Sequence, residues 1–322
     1  GLVEGAISGI WGDHIERRHP DLAVRMAVRS GGRDVSIDGD ALAATFPHHS
    51  GRLAVFLHGL AETEDAWGRP AQDDDQLGTY GDRLQRQLGL TPIFIRYNSG
   101  LHVSENGARL AELLEALIDA WPVPVADLAM VGHSMGGLVV RSACDAGVRD
   151  GLRWVTLVRH CVYLGTPHDG AQLERGVNML AGSLRLLPET RPLATLLDVR
   201  SAGVKDLRFG YVRQEDWNGH DPDRVLVDTG QDVQLLSTAR HHVVAATIGE
   251  TPHHVLSRIL GDLLVHHGSA SGHGRRGVPL QVDASDRRHL GGLHHFHLLD
   301  HPAVAELLHE WMNEPAPARS VS

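Results

Sequence analysis

Between residues 52 and 164 the chain alternates continuous apolar runs with stretches of helical spacing. The apolar runs are Arg52-Leu53-Ala54-Val55-Phe56-Leu57, Pro92-Ile93-Phe94-Ile95-Arg96-Tyr97, Leu128-Ala129-Met130-Val131 and Leu157-Val158-Arg159-His160-Cys161-Val162-Tyr163-Leu164. They lack the in-out alternation of a half-exposed strand and predict strands buried on both faces. Residues 80–88 put Leu84 and Leu88 on one helical face. Residues 105–121 repeat Leu110, Leu113, Leu114 and Leu117 at helical spacing and stop at Pro122 and Pro124. A further helix is expected over 138–143. Strand and helix in strict alternation require crossover connections, so the expected class is α/β, with a mostly parallel sheet flanked by helices.

Outside this block the pattern loosens. Residues 7–18 are amphipathic and predict a leading helix, with an edge strand within 21–29 and a pairing segment at 36–45. From 171 to 238 there are helical stretches, 173–187 and 192–197, and polar turns. No buried strand appears until Val243-Val244-Ala245-Ala246-Thr247-Ile248. So long an interval between core strands predicts a helical cap inserted over the strand ends. A helix at 253–260, a last strand at 278–282 and a closing helix at 302–312 follow. The expected organisation is an extension over 1–50, a core of 51–170 and 239–313, a cap of 171–238, and a Pro/Ala/Ser-rich tail over 314–322.

Composition narrows the class. Of 322 residues, 42% are hydrophobic and 22% charged, the profile of an ordinary globular chain. A net charge of -10 argues against a nucleic-acid partner, whose binding rests on phosphate neutralisation. The apolar runs are too short to span a bilayer, so stable membrane insertion is not expected. Cys144 and Cys161 give neither a disulfide framework nor metal spacing and are expected as small buried residues. A cytoplasmic location is the default expectation. The 23 histidines, often in doublets such as His241-His242, show no zinc spacing, so no metal or cofactor is expected and most are read as surface residues.

The chemistry concentrates at Val131-Gly132-His133-Ser134-Met135-Gly136-Gly137, a G-x-S-x-G motif between an expected strand and an expected helix. In that setting the motif is a nucleophile elbow, and its glycines let neighbouring backbone approach the serine. A serine hydroxyl needs a base to remove its proton, and the base needs an acid to orient it. In the α/β-hydrolase order those partners come later in the chain. The candidate base is His295, with His294 and His297 beside it in a Gly-containing loop before the last helix. The candidate acid is Asp262, with Glu250 as its rival. The oxyanion donors expected from this arrangement are the backbone N–H groups of Leu60, after the 52–57 strand, and of Met135. His58 reads as a loop brace. Trp67 either lines a cleft or anchors its loop.

Several of these pieces resemble the lipase and esterase branch of the α/β-hydrolase superfamily, including triacylglycerol-lipase-like and PGAP1-like proteins. They are Val55-Phe56-Leu57-His58-Gly59-Leu60, Gly132-His133-Ser134-Met135-Gly136-Gly137, Leu164-Gly165-Thr166-Pro167-His168, Asp262-Leu263-Leu264-Val265 with Ser269-Ala270, and Gly292-Leu293-His294-His295-Phe296. The fourth departs from the usual Asp-Gly-x-Val, carrying Leu263 where glycine stands. The resemblance implies an α/β-hydrolase fold and a serine hydrolase of carboxylic esters, acting on a small-molecule ester or a lipid. Acyl transfer by the same residues, and a binding protein on an inactive hydrolase fold, are the alternatives.

Overall fold

The computed structural model describes residues 2–70, 78–168, 201–203, 206, 212–216, 233–247, 282–293 and 295–314. Its elements in chain order are helix α1 (Leu2–Arg18), strands β1 (Ala27–Ser30) and β2 (Arg33–Asp34), helix α2 (Gly39–Thr45), β3 (Arg52–Leu57), α3 (Tyr80–Leu88), β4 (Thr91–Arg96), α4 (Val103–Ala120), β5 (Asp127–His133), α5 (Met135–Arg149), β6 (Val158–Leu164), β7 (Arg240–Thr247), β8 (Arg287–Gly291) and α6 (Pro302–Asn313). The strands form one eight-stranded sheet in the order β2-β1-β4-β3-β5-β6-β7-β8. Strands β3 to β8 pair in parallel, whereas β1 and β2 join antiparallel at one edge. The expected mostly parallel sheet flanked by helices is therefore the one observed.

The apolar runs are continuous because each strand feeds two cores. Leu53, Val55 and Leu57 of β3 join the layer under α4 and α5, while Ala54 and Phe56 join the layer under α3 and α6. Leu128 and Met130 of β5 face the first layer, and Ala129 and Val131 the second. The chain runs from β3 outward to β4, then returns to lay β5 on the other side of β3. That reversal opens a crevice at the carboxyl ends of β3 and β5, where open α/β sheets hold ligands.

Three local expectations are corrected. Residues 36–45 do not pair as a strand; Asp38 accepts a hydrogen bond from the Ala41 N–H and caps α2. Of the expected last strand at 278–282 only Val282 is described, and it lies outside any strand; among the described residues the last strand is β8. Its pattern, Arg287-Arg288-His289-Leu290-Gly291, is that of a partly exposed edge strand and carries no apolar run. His241 and His242 are buried, at 8% and 0% exposure, because they occupy β7 and point to opposite faces of the sheet.

Strands β6 and β7 are neighbours in the sheet although the first ends at Leu164 and the second begins at Arg240. Most of the expected cap, and the expected helices at 173–187, 192–197 and 253–260, lie outside the described residues. Described parts of the interval are tied to the frame at separate points. The Ser201 hydroxyl donates to Gly9 O, the Asp206 carboxylate accepts from Val103 N–H, Ser142 Oγ donates to Val212 O, and Arg141 donates to Val233 O. Among the described residues no helix is long and apolar enough to cross a membrane.

Candidate active site

Ser134 stands between the last residue of β5 and the first of α5, with φ 51° and ψ -121°. A side chain at positive φ is costly, about 1–3 kcal/mol, and persists only where its surroundings enforce it. Here they do. Ser134 N–H donates to Leu164 O at 2.8 Å. A Cβ on Gly136 would lie 2.5 Å from the carbonyl oxygens of Leu57 and His58, and one on Gly132 would lie 2.5 Å from Gly137 N. The turn therefore closes only with glycine on both sides of the serine, which explains the spacing of the motif.

Ala61, at φ 59°, is the other non-glycine residue with positive φ among the described residues. It lies in the turn after β3, and its neighbours in that turn are committed. Gly59 N–H donates to Glu62 Oε2 at 2.6 Å, Glu62 N–H to Gly59 O at 3.3 Å, and Ala61 N–H to the Ser99 hydroxyl at 3.1 Å. Among the described residues the Leu60 N–H has no acceptor. Met135 opens α5, so its N–H belongs to the first helical turn, which has no intrahelical acceptor.

The turn is braced from several sides. His58 is fully buried; its Nδ1 donates to Gly59 O at 2.9 Å and its Nε2 accepts from Tyr97 N–H at 3.2 Å, while Tyr97 donates its hydroxyl to His58 O. Burial holds the His58 imidazole below its ordinary range, so the ring is a neutral brace. Glu64, 8% exposed, takes a two-pronged contact from Arg96 and a third bond from Arg29. Burial opposes its ionisation, but those guanidinium groups outweigh it and hold the carboxyl below the usual range. Helix α1 closes the outside: a Cβ on Gly5 would meet Ala61 O at 2.6 Å, and one on Gly9 the Ala61 Cβ at 2.9 Å. Sequence reasoning gave α1 no chemical part and missed Glu62 and Glu64, whose partners lie far away along the chain. Trp67 is 2% exposed and packs on Phe56, so it anchors its loop.

His295 lies on the same side of the sheet. Its ring packs on that of His133, the residue before Ser134, with centroids 4.6 Å apart. It also covers Gly165, whose φ is +61° and where a Cβ would lie 2.7 Å from His295 Cε1. Burial is the main cause that lowers the His295 pKa to about 3, with His133 adding to it and Glu62 opposing. Its Nε2 is buried and has no hydrogen-bond partner among the described residues. His295 thus rests against the residue that precedes Ser134, and its Nε2 makes no hydrogen bond to the serine. His297 follows in the same short helical turn, His295–Leu299. His294, Asp262 and Glu250 lie outside the described residues. Cys144 and Cys161 are buried and free. Among the described residues no group of His, Cys, Asp and Glu could hold a metal ion.

No family model matches the sequence, and no curated protein matches it. Solved structures resemble it at low identity. A mature lipase, BlEst2, of Bacillus licheniformis is 16% identical with a TM-score of 0.46, covering 80% of this chain and 91% of its own. A lipase-esterase related protein of Clostridium acetobutylicum is 12% identical with a TM-score of 0.41, covering 82% and 96%. An esterase/lipase from an uncultured bacterium is 12% identical with a TM-score of 0.42, covering 82% and 76%.

Proposed function

We propose that the chain is a serine hydrolase of carboxylic esters that works through an acyl-enzyme on Ser134. The observation that carries the reading is the coincidence of strain and free donors at one place. Ser134 and Ala61, the two non-glycine residues of positive φ among the described residues, flank the carboxyl ends of adjacent strands β5 and β3. Backbone strain of this kind gathers where a reacting group must be held in one position.

In this reading Ser134 Oγ attacks the ester carbonyl while His295 removes its proton. The carbonyl oxygen becomes an oxyanion between the N–H groups of Leu60 and Met135. Collapse expels the alcohol, to which His295 returns the proton, and water then repeats the sequence on the acyl-enzyme. Each oxyanion donor of this type contributes about 3 kcal/mol to the transition state. Asp262 is proposed to orient the imidazole, with Glu250 as the alternative, and amide substitutions at each distinguish them by which one collapses kcat. Residues 171–238 are proposed as the cap that sets acyl preference. A small-molecule ester or lipid is the proposed substrate, and no cofactor is needed for these steps.

The test is covalent labelling. A fluorophosphonate probe is expected to modify the protein at Ser134, and Ser134→Ala to abolish both labelling and ester cleavage. Labelling that survives the substitution contradicts the assignment. Product analysis with a competing alcohol separates hydrolysis from acyl transfer.

A further inference from the structure

One carboxylate oxygen joins two of the three segments that meet at the site. Glu62 Oε2 accepts from the Gly59 N–H at 2.6 Å and from His133 Nδ1 at 3.0 Å. The opposite nitrogen of the same imidazole, Nε2, lies 3.4 Å from the carbonyl oxygen of His295. His133 is fully buried, and the Glu62 side chain is 11% exposed. The Trp67 ring stands edge-on to His133 at 6.4 Å and helps to exclude water. The approach is close on every side: a Cβ on Gly59 would lie 2.9 Å from Glu62 Oε2 and 3.1 Å from His133 Nδ1.

We infer that Glu62 and His133 form a positioning pair that locks the Gly59–Ala61 turn, the Ser134 turn and the His295 turn into one register. The inference rests on the ester-hydrolase reading for its effect on turnover, and on geometry alone for its effect on structure. Neither side chain touches the reacting atoms. Glu62 fixes the amide that precedes Leu60. His133 fixes the distance from that amide to the adjacent residue, Ser134, and provides the surface on which the His295 ring rests. Burial opposes ionisation of Glu62, yet the contacts with His133 and the Gly59 N–H hold its carboxyl below the ordinary range. A buried carboxylate without those donors would be costly, so the pair resists separation.

The pair predicts a pattern among four variants. Glu62→Ala and His133→Ala are expected to lower kcat for p-nitrophenyl butyrate on the order of 100-fold, since displacements near 1 Å cost that much. KM is expected to change little, and the rate of fluorophosphonate labelling to fall with kcat. Glu62→Gln keeps one carbonyl oxygen to accept both donors, and His133→Asn keeps an amide N–H at the Nδ1 position. Both are expected to recover most of the lost rate, which a loss of packing alone would not predict. They also keep the test usable if either alanine variant does not fold.

Hydrogen exchange reads the pair without turnover. In Glu62→Ala, or in His133→Ala if that form does not fold, exchange is expected to quicken in residues 58–62 and 295–299 together, whereas in Glu62→Gln it is expected to stay near that of the wild type. Wild-type protein that neither labels nor cleaves esters counts against the hydrolase reading, while coupled exchange still supports the pair. Active wild type with folded Glu62→Ala of undiminished kcat, or exchange confined to 58–62, overturns the pair.

Discussion

The two turns that meet at His133, the residue before Ser134, are held by different forces. The first, after β3, is fixed by charge and hydrogen bonding: Glu64 between Arg29 and Arg96, Glu62 on Gly59 and His133, and Ser99 on the Ala61 amide. The second, His295–Leu299, is fixed by packing of the His295 ring on His133 and Gly165 and by one phenol. Tyr80 donates its hydroxyl to Leu298 O and His301 O and accepts from His301 N–H at 2.7 Å. Oxyanion donors stabilise only if they do not have to reorganise, and a base must stay within hydrogen-bond reach of the proton it takes, so both turns must be held, whatever holds them.

The comparison breaks most visibly at Glu64. Glu64→Ala removes the carboxylate shared by Arg29 and Arg96, leaving Arg29 to Asp34 and Gly32 O and Arg96 to Glu4, and is expected to destabilise the fold by about 3 kcal/mol, read as a lower denaturant midpoint. An unchanged midpoint would mean that the first turn does not depend on charge. Gly165→Ala attacks the second turn instead. It adds a Cβ under the His295 ring at a backbone of φ +61°. It is expected to lower kcat on the order of 100-fold, with a lesser loss of stability than Glu64→Ala. Tyr80→Phe removes the phenol and leaves His301 N–H without that acceptor, which costs about 1–3 kcal/mol. Its activity loss should be smaller than that of Gly165→Ala; a larger one would make the phenol, not the packing, the seat of His295.

A separate effect is a slope with pH, to which both turns and the sheet contribute. Burial holds His58 and His295 below the ordinary imidazole range, and His160 and His242 on β6 and β7 at about 4 and about 3. These rings stay neutral in the folded chain, while the unfolded chain takes up protons near pH 6.5. Their contribution is therefore complete above about pH 6.5 and is lost as pH falls toward 4 and 3. Urea titrations should show a lower unfolding free energy at about pH 5 than at about pH 7.5, and the reverse order would contradict the assignment.

Much of the frame was legible because β3, β5 and β6 are buried on both faces and therefore apolar without interruption. The placement of Ser134 was legible because only glycine fits on either side of it. What escaped sequence reasoning had no local signature. Glu62 and Glu64 look like solvent-facing acids until β5 brings His133 to the first and β4 and β1 bring Arg96 and Arg29 to the second. β8 was missed because an edge strand needs no apolar run, and α2 because Asp38 was read as part of a strand when it is a cap. The His241-His242 doublet misled because a repeated polar residue suggests a surface. In β7 the two side chains separate to opposite faces, one toward Tyr163 and the other toward His160 and Trp311.

The ties that return the β6–β7 interval to the frame have a practical consequence for protein engineering. Ser201 is sewn to α1, Asp206 to α4, and Val212 and Val233 to α5. These ties give the interval several fixed points on the frame. Exchanging the segment between two of them for a foreign one tests the proposed role of residues 171–238 in acyl preference.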